Sequence, residues 1–109
     1  MSETEQEPKK EALGENTVLN HLLGDHPKTR MMVVFLSEKR TDINISELAR
    51  LAGIDRSTVY SHLDDLLEIG VVEKTREVGG SKMYRINRDS PAAEKLAELE
   101  WALVEEASE

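Results

Sequence analysis

Residues 46–63 read SELARLAGIDRSTVYSHL, and this run constrains the chain more than any other. It describes a short helix, a glycine turn and a second helix opened by a cap and small polar residues. Ala49 and Gly53 lie four residues apart, Ile54 follows, and Val59 and Leu63 then recur at helical spacing. Two helices that cross tightly need a small residue at their contact. The sharp turn between them needs a residue that tolerates positive φ. The second helix needs an apolar stripe with which to dock. The run meets these needs in order, which is the helix-turn-helix pattern.

A chain of 109 residues is long enough for one domain with one modest core. No run of 18 or more apolar residues exists to span a membrane. Residues 1–16, MSETEQEPKKEALGEN, lack the apolar stretch of a signal peptide. With no cysteine, disulfides and thiolate metal sites are excluded. These features make a cytoplasmic location the expectation.

The net charge of −8 stands against nucleic-acid binding, because phosphate contacts need cations. Its distribution softens that objection. Residues 1–15 carry five acids and two bases, and residues 89–109 carry seven acids and one base. Residues 16–88 therefore hold ten acids and eleven bases, a net of +1. Between 74 and 88, Lys74, Arg76, Lys82, Arg85 and Arg88 face Glu77 alone. A glutamate-rich, lysine-poor composition also suits a protein that must stay soluble in concentrated salt.

The pass along the chain predicts a disordered acidic tail over 1–15. Asn16 is placed to cap a helix over 17–23 that Gly24 stops. Pro27 opens a second helix, whose near-continuous apolar run from Met31 to Leu36 marks it as the central buried element. Residues 41–45 are expected as a brief strand. Ser46 is the expected cap of the first motif helix, and Asp55 that of the second, which ends at Gly70. Residues 71–78 and 81–87 read as strands joined by Gly79-Gly80, with Tyr84 and Ile86 on one face. Ser90-Pro91 opens a last helix.

A helix-turn-helix followed at once by a hairpin is the winged helix arrangement. RSTVYSHLDDLLEIGVVEK, within residues 56–87, resembles the winged helix-turn-helix transcription regulators of archaea and bacteria. The resemblance extends over roughly residues 28–88. The acidic ends and the GDHP segment look most like small regulators of halophilic archaea, with MarR-type and TrmB-type regulators as broader relatives. It implies a mainly α fold with a small β-hairpin wing, an added N-terminal helix and a C-terminal dimerisation helix over 89–109. The domain over 16–88 would bind double-stranded DNA as a homodimer and regulate transcription. The alternative is a winged helix that serves as a protein–protein module of the transcription machinery.

The N-terminal half of a recognition helix is the part that enters the major groove. Arg56, Ser57, Thr58, Tyr60 and Ser61 are therefore the candidate contacts. Serine and threonine bond phosphates or several base edges, so they discriminate weakly. Ser57 and Thr58 also suit plain capping of the first turn, and Arg56 suits either a phosphate or an ion pair with Asp55 or Glu47. Asp64, Asp65 and Glu68 suit either acceptance from cytosine N4 or a solvated face beyond the groove that opposes DNA. The wing supplies a second candidate site in Arg76, Gly79, Gly80, Ser81 and Lys82.

In the last helix, Ala92, Leu96, Leu99 and Leu103 follow spacings of four, three and four, and Trp101 widens the surface. That seam suits either dimerisation or packing against the same domain. His21, His26 and His62 do not form a recognisable metal set, and no nucleophile stands with a base, so no metal, cofactor or enzymatic activity is expected. A small-molecule effector finds little room in so short a chain.

Overall fold

The computed structural model describes residues 17–107. The expectation of a disordered tail over 1–15 and the capping role given to Asn16 both fall outside them. Five helices and three strands follow in the order α1 (Val18–Leu23), α2 (Pro27–Ser37), β1 (Ile43–Asn44), α3 (Ile45–Ala52), α4 (Arg56–Ile69), β2 (Val72–Val78), β3 (Ser81–Ile86) and α5 (Pro91–Ala107).

Local chemistry accounts for most boundaries. The Thr17 hydroxyl accepts from the Asn20 amide and caps α1, while Gly24 ends it. Pro27 sits in the first turn of α2, and the His26 ring nitrogen Nδ1 accepts from the Lys28 amide at 3.1 Å. Asp55 caps α4 through the Thr58 amide at 2.8 Å. Ser90 Oγ accepts from the Ala93 amide at the start of α5.

Helix α2 is buried along Met31–Leu36 and is the centre of the core. It packs on α1, α3, α4 and β3 at once, which is why its apolar residues run continuously rather than along one stripe. Val59, Leu63 and Leu66 of α4, Leu48, Ala49 and Ala52 of α3, and Val72, Tyr84 and Ile86 of the sheet close around it. Gly53 ends α3 at φ 73°, a conformation that Cβ-bearing residues resist, and so lets the chain turn into α4.

The sheet is antiparallel with strand order β1-β3-β2. Gly79 and Gly80 both take positive φ, 56° and 84°, as a tight hairpin turn requires. Lys74 pairs with Tyr84 but Arg76 pairs with Met83, so Thr75 is an extra residue, a β-bulge.

Two expectations need correction. The strand anticipated over 41–45 is only Ile43–Asn44, and α3 is capped by Asn44, whose Oδ1 accepts from Glu47 N at 2.8 Å, instead of by Ser46. Both residue types cap helices well. Asn44 wins because Ile43 pairs with Tyr84 and Ile45 and Leu48 are buried, which starts the helix two residues earlier, at Ile45.

Candidate nucleic-acid interface

Helix α4 and the wing hairpin meet across a groove of about 300 Å³. Arg56 and Tyr60 of α4 line one wall, and Gly80, Ser81 and Lys82 of the hairpin line the other. Asn44, Ile45 and Ser46, at the start of α3, also line it, together with Tyr84. In the sequence the helix and the wing are separate candidates; the tertiary structure joins Arg56, Tyr60, Gly80, Ser81 and Lys82 in one concave surface, whereas Ser57, Thr58, Ser61, Arg76 and Gly79 are not among its lining residues. The sequence did not reveal the contribution of residues 44–46, whose cap-and-strand pattern signals local structure only.

The polar groups at the start of α4 differ in how free they are. The Asp55 carboxylate, which caps α4, also accepts from the Ser57 hydroxyl at 2.9 Å. The Thr58 hydroxyl, the Thr58 amide and Ser57 hold the Asp55 acid below its ordinary range. The Ser61 hydroxyl donates to the Ser57 carbonyl at 3.0 Å, along its own helix. Tyr60 is 56% exposed, and its ring stands out from the helix. Arg56 and Lys82 are exposed and make no ion pair among the described residues.

Most other cations of the wing have partners. Lys74 bonds Glu77 at 3.0 Å, and Arg85 bonds Glu73 at 3.0 Å. The Arg76 guanidinium donates twice to Asp42, from Nε at 2.9 Å and from Nη2 at 3.1 Å. Hydrogen bonds from Arg76, and then from Thr75, lower the Asp42 pKa from 3.8 to about 2. The basic run 74–88 is thus largely balanced within the sheet, leaving Lys82 and Arg88 without an ion pair among the described residues. On α4, Asp65 is held by Lys28 at 2.6 Å, which lowers its pKa, while Asp64 and Glu68 stay exposed.

The C-terminal seam divides. Ala93, not Ala92, is buried; Leu96, Ala97 and Leu103 pack against the domain's own core. Ala92 is exposed, as are Leu99, Val104 and Trp101, the last at 65%. On α1, Leu22 and Leu23 are exposed as well. Two of the histidines, placed by sequence on separate elements, meet in space: the rings of His26 and His62 contact edge to face at 5.2 Å. No group of three or more histidine and carboxylate ligands among the described residues is arranged to hold a metal ion.

This geometry of two crossed helices and a hairpin wing defines a winged helix-turn-helix domain, and comparison with known proteins agrees. Residues 32–76 match the family profile of the IclR helix-turn-helix domain. No curated protein matches the chain. The structure is similar to a MarR-family transcriptional regulator from Silicibacter pomeroyi (TM-score 0.59, 20% identity), over 75% of this chain and 53% of that one. It is also similar to the AntR antimony-specific transcriptional repressor (TM-score 0.58, 24% identity), over 84% of this chain and 78% of that one. The chain therefore spans about half the length of the first of these proteins. At these identities the likeness is one of fold.

Proposed function

We propose that this protein is a DNA-binding transcription regulator, with no enzymatic activity and no cofactor. The single observation that carries the reading is the shared groove. It sets Arg56 and Tyr60 of the recognition helix opposite Gly80, Ser81 and Lys82 of the wing. A duplex entering it meets an exposed aromatic ring and two exposed cations, while the glycine turn lets the backbone come close to a phosphate. In this reading the first turns of α4, Arg56 to Ser61, enter the major groove, and the wing lies on the adjacent backbone or minor groove. The IclR-type profile and the two regulators of similar fold support it.

The functional unit in this reading is a homodimer joined through the outward side of α5. Leu99, Trp101 and Val104 form an apolar face too large to leave in water at a helix end. A dimer sets two recognition helices about one DNA turn apart. No helix among the described residues is long and apolar enough to cross a membrane, which accords with a cytoplasmic regulator. The acidic ends fit the salt-rich interior of a halophilic archaeon.

The test is selection of duplexes from a random-sequence pool, followed by binding over a salt series. Lys82→Ala should weaken binding to all duplexes alike and reduce the salt slope by about one. Tyr60→Ala and Ser61→Ala should instead change the preference among duplexes, by roughly 1–3 kcal/mol at the affected base pair. If the parent selects no duplex, a protein partner becomes the better reading. The exposed Asp64 and Glu68 beside the groove would then be its docking face.

A further inference from the structure

Asp42 stands just before β1 and two residues before Asn44, the cap of α3. Its side chain is only 9% exposed. It accepts from Arg76 at 2.9 and 3.1 Å and from the hydroxyl of Thr75. Thr75 and Arg76 lie on β2, and Asp42 immediately precedes β1; these are the two outer strands of the sheet, with β3 between them. Neighbouring residues of a regular strand point to opposite faces. Thr75 and Arg76 are neighbours, and both donate to the same oxygen, Oδ2. The bulge at Thr75 is what permits this, because it turns the strand by one residue between Lys74 and Arg76. The wing is thereby tied to the start of the helix-turn-helix, and the tie spans the segment that lines the groove.

We infer that Asp42 and Arg76 are positioning residues for DNA binding, a charge pair that sets the wing tip at its distance from the recognition helix. The inference rests on the DNA-binding reading and deepens it. Arg76 then differs from Lys82 in kind. Its charge is already balanced by Asp42, so it adds little to the count of neutralised phosphates, whereas the place of Gly80, Ser81 and Lys82 depends on it.

The two roles predict opposite signs. Suppose Arg76 were a phosphate contact restrained by Asp42. Asp42→Asn would then free a cation, remove an acid and tighten binding. With positioning, Asp42→Asn loosens the wing and weakens binding although an acid has gone. The experiment measures dissociation constants for a duplex selected by the parent from a random pool, across a salt series, on the full chain. The expected result is that Asp42→Asn and Arg76→Ala each weaken binding about three- to tenfold, the lower part of the range that loss of one coupled pair gives. Their salt slopes should equal the parent's, because no phosphate contact is lost. Asp42→Glu, and the exchange of Asp42→Arg with Arg76→Asp in one chain, should recover most of the affinity.

Thr75→Val removes only the hydroxyl and serves if Asp42→Asn does not fold; it should weaken binding in the same sense. Tighter binding by Asp42→Asn, or a salt slope reduced by about one in Arg76→Ala, overturns the inference while leaving the DNA-binding reading in place. A parent chain that selects no duplex overturns both.

Discussion

The guanidinium of Arg30 grips both carboxylate oxygens of Asp25, at 2.7 and 2.9 Å. Its third nitrogen donates to the carbonyls of Ala52 and Gly53 at 3.2 Å each, at the end of the first motif helix. Asn20 of α1 joins the same carboxylate at 2.8 Å. One arginine thus connects the loop between α1 and α2 to the helix-turn-helix turn. It satisfies carbonyls that a helix end leaves without partners.

Arg30→Ala should therefore lower the melting temperature by roughly 4–8 °C, the shift that about 1 kcal/mol makes in a domain of this size. Arg30→Lys should recover little of it, since a single ammonium cannot reproduce the fork that reaches both Asp25 oxygens and the two carbonyls. Melts followed by circular dichroism check this. A parent-like Arg30→Lys would show that the fork is not what matters.

Acid below pH 3.8, and not neutral pH, should loosen the wing. The carboxyl of Asp42 titrates at about 2 in the folded chain against 3.8 as the reference, chiefly through its bonds from Arg76. A lowered folded-state value means that the contribution is fully present above the reference value and is lost as pH falls through the folded one. Melting temperature should thus drop between 3.8 and about 2, with Asp42→Asn showing a shallower drop over that window. Equal slopes for parent and variant would rule out Asp42 as a source of the acid sensitivity.

Trp101→Glu should convert the proposed dimer to a monomer without unfolding the chain, because Trp101 is 65% exposed and its helix is anchored by other residues. Ala93, Leu96, Ala97 and Leu103 on the inner side hold α5 to the domain. Light scattering should give twice the mass of one chain for the parent and a single mass for the variant. A monomeric parent would remove the dimer from the proposal.

Salt should raise the melting temperature. The acids concentrated in residues 1–15 and 89–109 repel one another, and the Debye length shrinks to about 3 Å at 1 M salt. A potassium chloride series measures this. A melting temperature that fell with added salt would count against a salt-adapted protein.

Where a feature depended on neighbours in the chain, it was legible in the residues. Asp55 caps α4, Gly53 and Gly70 end their helices, and Gly79-Gly80 turns the hairpin. Each needs only a residue's own conformational freedom and an amide three positions away. The central place of α2 was legible too, from an apolar run too continuous for a surface helix. The choice of Asn44 over Ser46 as a cap was not, because both satisfy the local rule and strand pairing decided between them.

The amino-acid sequence by itself determined the order of helices and strands, the turns between them and the inward apolar residues of α2 and α4. Those follow from periodicity and backbone preference, which act over a few residues. Tertiary structure alone decided the electrostatics of the wing. Arg76 meets Asp42 across 34 residues of chain and a full strand, with a bulge to aim it. It alone also split the C-terminal seam, because the helix face that meets α1 and the core depends on how the whole domain packs. Charges and seams are properties of surfaces, and a surface is made only when distant segments are brought together.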